Sequence, residues 1–163
     1  MTMRLALAVQ TAEVERQVPV AFLSGGFAEK AAKAAGMGAE GLELMVADPG
    51  QLDAGALRDV LGEHGLDPVA VGSGAVAFAT GLTLLHEEPA KAAQARERLH
   101  DLIVFAAAVG APLVTIGRFR GRLAQQGIPL EAYLRATDQT EDALRDELRP
   151  ATRQLAAKTA EIA

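Results

Sequence analysis

Ala31-Ala32-Lys33-Ala34-Ala35-Gly36, followed after four residues by Gly41-Leu42-Glu43-Leu44-Met45-Val46, is the stretch whose reading decides the fold. Small residues at helical spacing give way to a helix-ending glycine and then to a nearly continuous apolar run. The unit recurs: Gly65 leads to Pro68-Val69-Ala70-Val71-Gly72, and Gly110 leads to Pro112-Leu113-Val114-Thr115-Ile116-Gly117. A strand that is apolar at successive positions is covered on both faces, which is the condition of strands in a parallel sheet.

Outward from these units, residues 4–9 read as a first strand, 10–17 as a polar stretch, and Ser24-Gly25-Gly26 as a loop. A first helix is expected over 27–35, with Ala28, Ala31, Ala32 and Ala35 on one face. Asp53 is placed to N-cap a second helix, with Leu52 and Leu57 as a hydrophobic staple, and His64-Gly65 ends it. A third helix has Pro89 in its first turn, Glu87 and Glu88 near the positive end of its dipole, and a stripe of Ala95, Leu99, Leu102, Ile103 and Ala106. Residues 72–83 read as a loop rich in Gly, Ala and Ser. A charged helical region is expected over 130–162, broken before Pro150, with one stripe of Tyr133, Leu134, Leu144, Leu148 and Leu155. Four strand-helix units indicate an α/β fold of parallel (β/α) repeats with right-handed crossovers. Such a set forms an open doubly wound sheet or part of a closed barrel, which needs eight strands and about 250 residues.

Composition narrows the function classes. The 163 residues are half apolar, enough for one domain with a sizeable core. The net charge of -5, with signs interspersed, offers no basic face for nucleic acid and no polybasic segment for an anionic membrane. With no cysteine there is no disulfide, thiolate metal site or cysteine nucleophile. The opening apolar run, Leu5 to Val9, is too short for a signal segment or a membrane span, so a cytoplasmic location is expected.

From Gly36 to Gly121 the ordered motifs resemble the sugar phosphate isomerase/epimerase family, the xylose isomerase-like TIM barrels. The family also contains hydroxypyruvate isomerases, ketose 3-epimerases and, more distantly, endonucleases of the apurinic-site repair type. The resemblance lies in Ala31 to Gly36 leading to Gly41-Leu42-Glu43-Leu44-Met45, and in Gly65-Leu66 leading into the third strand. It continues through Gly81-Leu82-Thr83-Leu84, the run from Arg98 to Pro112, and Ile116-Gly117-Arg118-Phe119-Arg120-Gly121. It implies a single domain over 1–163 that comprises the first four units of a TIM barrel, a half barrel. The resemblance further implies a divalent metal, Mn²⁺ or Mg²⁺, held in the family by two glutamates, an aspartate and a histidine at the ends of strands five to eight. Two of those carboxylates move protons beside the substrate carbonyl. No such position transfers to this chain: the catalytic residues are expected beyond Ala163, and no metal ligand is assigned within it.

A barrel of this kind carries its site at the C-terminal ends of the strands. The positions there are Gln10, Glu43, Ser73 and Arg118, with Arg120 beside the last, and these five are the candidate substrate-binding residues. Glu43 stands out because an ionised carboxylate in an apolar strand is costly unless paired or hydrogen-bonded; a structural network inside the barrel is the competing explanation. Arg118 and Arg120 offer guanidinium forks suited to phosphate or carboxylate, against a solvated loop continued by Arg122. Ser73 lies in Gly72-Ser73-Gly74, which lacks the spacing of a nucleophile elbow. The Ser24-Gly25-Gly26 loop lacks the length and the lysine of a phosphate-binding loop, and His64, His86 and His100 match no metal spacing.

Two functions follow. The first is the N-terminal half of a metal-dependent sugar or sugar phosphate isomerase or epimerase working through an enediolate, with little activity alone. The second is a noncatalytic half-barrel binding or assembly module that pairs with itself or another chain to cover its sheet edges; the partners expected across the two readings are a sugar or sugar phosphate and either a second copy or a missing C-terminal half.

Overall fold

In the computed structural model the described residues are 5–117 except Gln17, together with Phe119 and Gly121. The elements run β1 (Ala6–Gln10), α1 (Phe27–Gly36), β2 (Gly41–Met45), a 3₁₀ turn (Pro49–Gln51), α2 (Ala54–Glu63), β3 (Asp67–Gly72), α3 (Gly74–Thr80), α4 (Pro89–Val109) and β4 (Val114–Thr115). The four strands form one parallel sheet in the order β1-β2-β3-β4. Sequential parallel neighbours joined by helices are the start of a barrel wall rather than a doubly wound sheet, whose strand order reverses at a switch point.

Pleating sorts the side chains. Val9, Leu42, Leu44 and Val71 enter the main core with Ala31 and Ala34 of α1, Leu57 and Leu61 of α2, and Leu99, Leu102, Ile103, Ala106 and Val109 of α4. Register places Ala8, Glu43 and Ala70 in one row across the sheet, and Gln10, Met45, Gly72 and Thr115 in the next. These rows alternate with Val9, Leu44 and Val71, so they lie on the opposite, inner face. There Met45 joins Ala75 and three residues of the β1–α1 connection, Val14, Val18 and Ala21, in a second small cluster. The connection therefore folds over the C-terminal mouth of the sheet.

The local signals act as the residues dictate. The Asp53 side chain accepts from the Ala56 amide at 3.0 Å and caps α2. Gly65 follows the helix at φ +64°, a conformation that a side chain would strain. The α4 stripe is buried as spaced.

Four expectations shift. The buried face of α1 is Lys30, Ala31 and Ala34, while Ala28 and Ala32 of the expected stripe are exposed. The first strand lies at Ala6–Gln10 rather than 4–9, because its register on β2 runs from Ala6↔Gly41 to Gln10↔Met45. The fourth contributes only Val114–Thr115 to the ladder. The expected loop over 72–83 contains α3, a helix whose Ala75 and Val76 are buried and which Gly81 closes at φ +72°. Alanine-rich composition favours that turn of helix over open loop once one face can be covered. The charged region expected at 130–162 lies outside the described residues.

Leu102 is fully buried between α4 and the sheet. Truncating it to alanine should cost about 2–5 kcal/mol of unfolding free energy, read from urea denaturation, if this cluster is the core of the chain.

Candidate functional site

The C-terminal mouth of the sheet is built from hydrogen bonds that tie strand ends to the loops after them. Gln10 is buried, and both ends of its amide are committed to the β1–α1 connection. Nε2 donates to the Val14 carbonyl at 2.8 Å, and Oε1 accepts from the Val18 amide at 2.9 Å. The Thr11 hydroxyl lies 3.0 Å from the Met45 carbonyl and 2.9 Å from Glu13 Oε1, two acceptors that share its one proton. The same Glu13 oxygen accepts from the Ala47 amide at 3.0 Å, which fastens the connection to the end of β2. Lys30, on the inward side of α1, is 6% exposed and donates to the Gln10 carbonyl at 2.9 Å. Burial lowers its pKa and the Glu13 charge partly offsets this.

Glu43 is placed differently. It is half-buried on the inner face, and its Oε1 accepts from the Thr115 hydroxyl at 2.7 Å. Glu43 stands one row below Gly72 and Thr115, so its carboxylate must pass the Gly72 position to reach Thr115. Gly72 leaves the way open: a Cβ there would lie 3.0 Å from Glu43 Oε1 and 2.5 Å from Met45 Sδ. A glycine at a strand end commonly marks such close approach.

Ser73 is fully buried, and both its amide and its hydroxyl donate to the Thr115 carbonyl, at 3.1 and 2.6 Å. Of the five candidate residues, the structure brings Glu43 and Ser73 together through Thr115. Gln10 stands in the row of Met45 and Gly72, with its side chain turned to the loop. Arg118 and Arg120 lie outside the described residues. Thr115 was missed in the sequence because it sits inside an apolar run; the threonine-after-valine alternation was its one signal.

The three histidines stay away from this mouth. His64 follows the C-terminus of α2, His86 Nδ1 accepts from the Glu88 amide at 3.1 Å, and His100 is exposed on α4. His100 instead borders an outer groove of about 550 Å³, with Asp48, Arg98 and Asp101 among its lining. Arg98 is hydrogen-bonded to Asp48 across that groove, joining α4 to the 3₁₀ turn. Among the described residues no three His, Asp or Glu side chains gather where they would hold a metal ion. No described helix is long and apolar enough to cross a membrane.

Four parallel strands in sequential order, each joined to the next through helix, define the class: half of an α/β barrel, with Glu43 and Thr115 on its inner face. The model of the xylose isomerase-like TIM barrel family matches residues 31–163, and the chain belongs to that family. Two crystal structures of N-terminal His-tagged D-allulose 3-epimerase from Methylomonas sp. are similar in fold. One carries additional C-terminal residues and the other is in complex with D-allulose. Each is 20% identical with a TM-score of 0.50; the first match covers 97% of this chain and 49% of the epimerase, and the second covers 97% and 48%. The chain thus spans about half the length of these structures. No curated protein matches it.

Asp48 supplies a pH signature. Its carboxyl is held below the ordinary aspartate value of 3.8, first by the Gln51 side-chain amide and then by Arg98. A group whose pKa is depressed on folding adds stability above its unfolded value and loses it as pH falls through the folded one. Asp48→Asn should therefore melt below the wild type at neutral pH. The gap should close in acid, below 3.8, as thermal melts across that range will record.

Proposed function

We propose that this chain supplies the N-terminal half of the barrel of a metal-dependent sugar or sugar phosphate isomerase or epimerase. The observation that carries the reading is Glu43, a carboxylate facing inward at the C-terminal mouth of a family barrel wall. A carboxylate accepts hydrogen bonds and donates none, so this one can hold the hydroxyls of a neutral ligand. Membership of the family and the fold shared with an epimerase solved with D-allulose support a sugar as that molecule.

The reaction proposed is proton removal beside the substrate carbonyl to an enediolate and proton return, giving aldose–ketose interconversion or epimerisation. A divalent cation, Mn²⁺ or Mg²⁺, would polarise the carbonyl. The described residues do not fit such a cation: Glu43 is bonded to a threonine hydroxyl, and no second carboxylate or histidine joins them in a metal cluster. In this reading the chemistry belongs to side chains outside the described residues. Glu43 holds substrate hydroxyls, and Arg118 and Arg120 remain the candidates for a phosphate.

The test is a ketohexose titration and turnover assay on the 163-residue chain with Mn²⁺ present. Expected are D-allulose binding, seen as shifts of inner-face NMR signals, and little epimerisation. Absence of any sugar or sugar phosphate binding would overturn the sugar reading; robust metal-dependent turnover would overturn the location of the chemistry.

A second reading, a half-barrel assembly module, is favoured by the sheet edges. Among the described residues β1 pairs only with β2 and β4 only with β3, so each presents an open edge. Open edges drive pairing between chains, and two four-stranded halves make the eight strands of a closed barrel. Light scattering on the 163-residue chain should give the mass of a dimer if this holds; a monomer at high concentration would exclude self-pairing.

A further inference from the structure

We propose that Thr115 and Ser73 are positioning residues that aim the Glu43 carboxylate at a substrate hydroxyl, an inference that rests on the sugar-binding reading above. Three observations converge on it. The Thr115 hydroxyl donates to Glu43 Oε1 at 2.7 Å, from a strand 72 residues away in sequence. Gly72 lies between them without a Cβ, and any side chain there would meet the carboxylate and Met45. Behind Thr115, the Ser73 amide and hydroxyl both hold its carbonyl, at 3.1 and 2.6 Å.

The arrangement runs from rigid to functional. Ser73 is fully buried at the start of α3, whose Ala75 and Val76 are buried in turn. β4 pairs through only two residues, so the two Ser73 bonds are a main restraint on where the Thr115 backbone sits. Thr115 then fixes the rotation of the Glu43 carboxylate. A carboxylate has about four acceptor positions, and one donor on Oε1 leaves the others for ligand hydroxyls. The Thr115 oxygen keeps its own lone pairs and can accept from the same ligand.

The site also selects by charge. A carboxylate repels phosphate and recognises a hydroxyl donor, so the end of the sugar at Glu43 is unphosphorylated. If the substrate carries a phosphate, it lies away from this row. That divides sugar from sugar phosphate by position, which the fold alone does not.

The experiment compares Thr115→Val, Thr115→Ser, Ser73→Ala and Glu43→Gln in the 163-residue chain, titrated with D-allulose. Thr115→Val should weaken binding about fivefold, because a carboxylate no longer held in one rotamer must be ordered when the ligand binds. Thr115→Ser, which keeps the hydroxyl, should restore it to within about twofold, a factor well under 1 kcal/mol. On a Glu43→Gln background, Thr115→Val should cost less than it does alone, because a neutral amide loses the charge-assisted bond. A ligand-free measurement reads the same role: three-bond couplings of the Glu43 side chain should change from one rotamer toward averaging in Thr115→Val and in Ser73→Ala. Unchanged couplings in both variants overturn the positioning role, whatever sugar does. Undiminished D-allulose affinity in Thr115→Val overturns it as well, as does an equal loss on the Glu43→Gln background. Couplings that change in the variants, beside a wild-type chain that binds no sugar, would keep the positioning of Glu43 and sink the sugar reading.

Discussion

The parallel pairing of β2 between β1 and β3 is the constraint on which the rest of the structure depends. It holds ten register pairs, and it alone determines which side of the wall each β2 residue faces. Leu42 and Leu44 go to the helices and are fully buried, while Glu43 and Met45 go to the inner face. A slip of one residue would exchange these sets and bring a carboxylate under α1 and α2, at a cost the core could not offset. The small residues beside β2 serve the same pairing. Gly41 lies where a Cβ would be 2.5 Å from Val69 and 2.8 Å from the Asp67 carbonyl, so β2 and β3 approach there only with glycine.

From that wall the two faces differ in what covers them. The outer face is closed by apolar side chains from three helices, alanines from α1 and mainly larger residues from α2 and α4, and its stability comes from area removed from water. The inner face is closed at its mouth by the β1–α1 connection, and the polar side chains of Gln10, Thr11 and Glu13 do the fastening. Burial of Gln10 and Thr11 is tolerable because their side-chain polar atoms are hydrogen-bonded to backbone groups. Lys30 extends the same device from α1, with its ammonium on the carbonyl of Gln10.

How much of this was legible in the sequence follows from the range of each interaction. The Asp53 cap, Gly65 at the end of α2 and the α4 stripe depend on residues within one or two helical turns, and they stand where their spacing puts them. α3 was read as loop because seven residues of Gly, Ala, Val, Phe and Thr carry too little periodicity to reveal a helix. Glu43 was legible as an anomaly, a charge inside an apolar run. Its partner was not, because a bond between Glu43 and Thr115 depends on the register of three strands. Ser73 and Gln10 were legible as strand-end residues, but the backbone atoms they hold belong to other elements.

Glu43 is where the two faces of the wall are balanced against each other. On an apolar strand it is a local conflict, and such conflicts in an otherwise consistent sequence concentrate where function overrides packing. The conflict is accommodated by neighbours rather than removed: Ala8 and Ala70 flank it with little bulk, Gly72 leaves its path clear, and Thr115 bonds it. The register that gives Leu42 and Leu44 to the helices leaves this carboxylate half-buried on the inner face, with one oxygen bonded to Thr115 from a strand two places along the sheet.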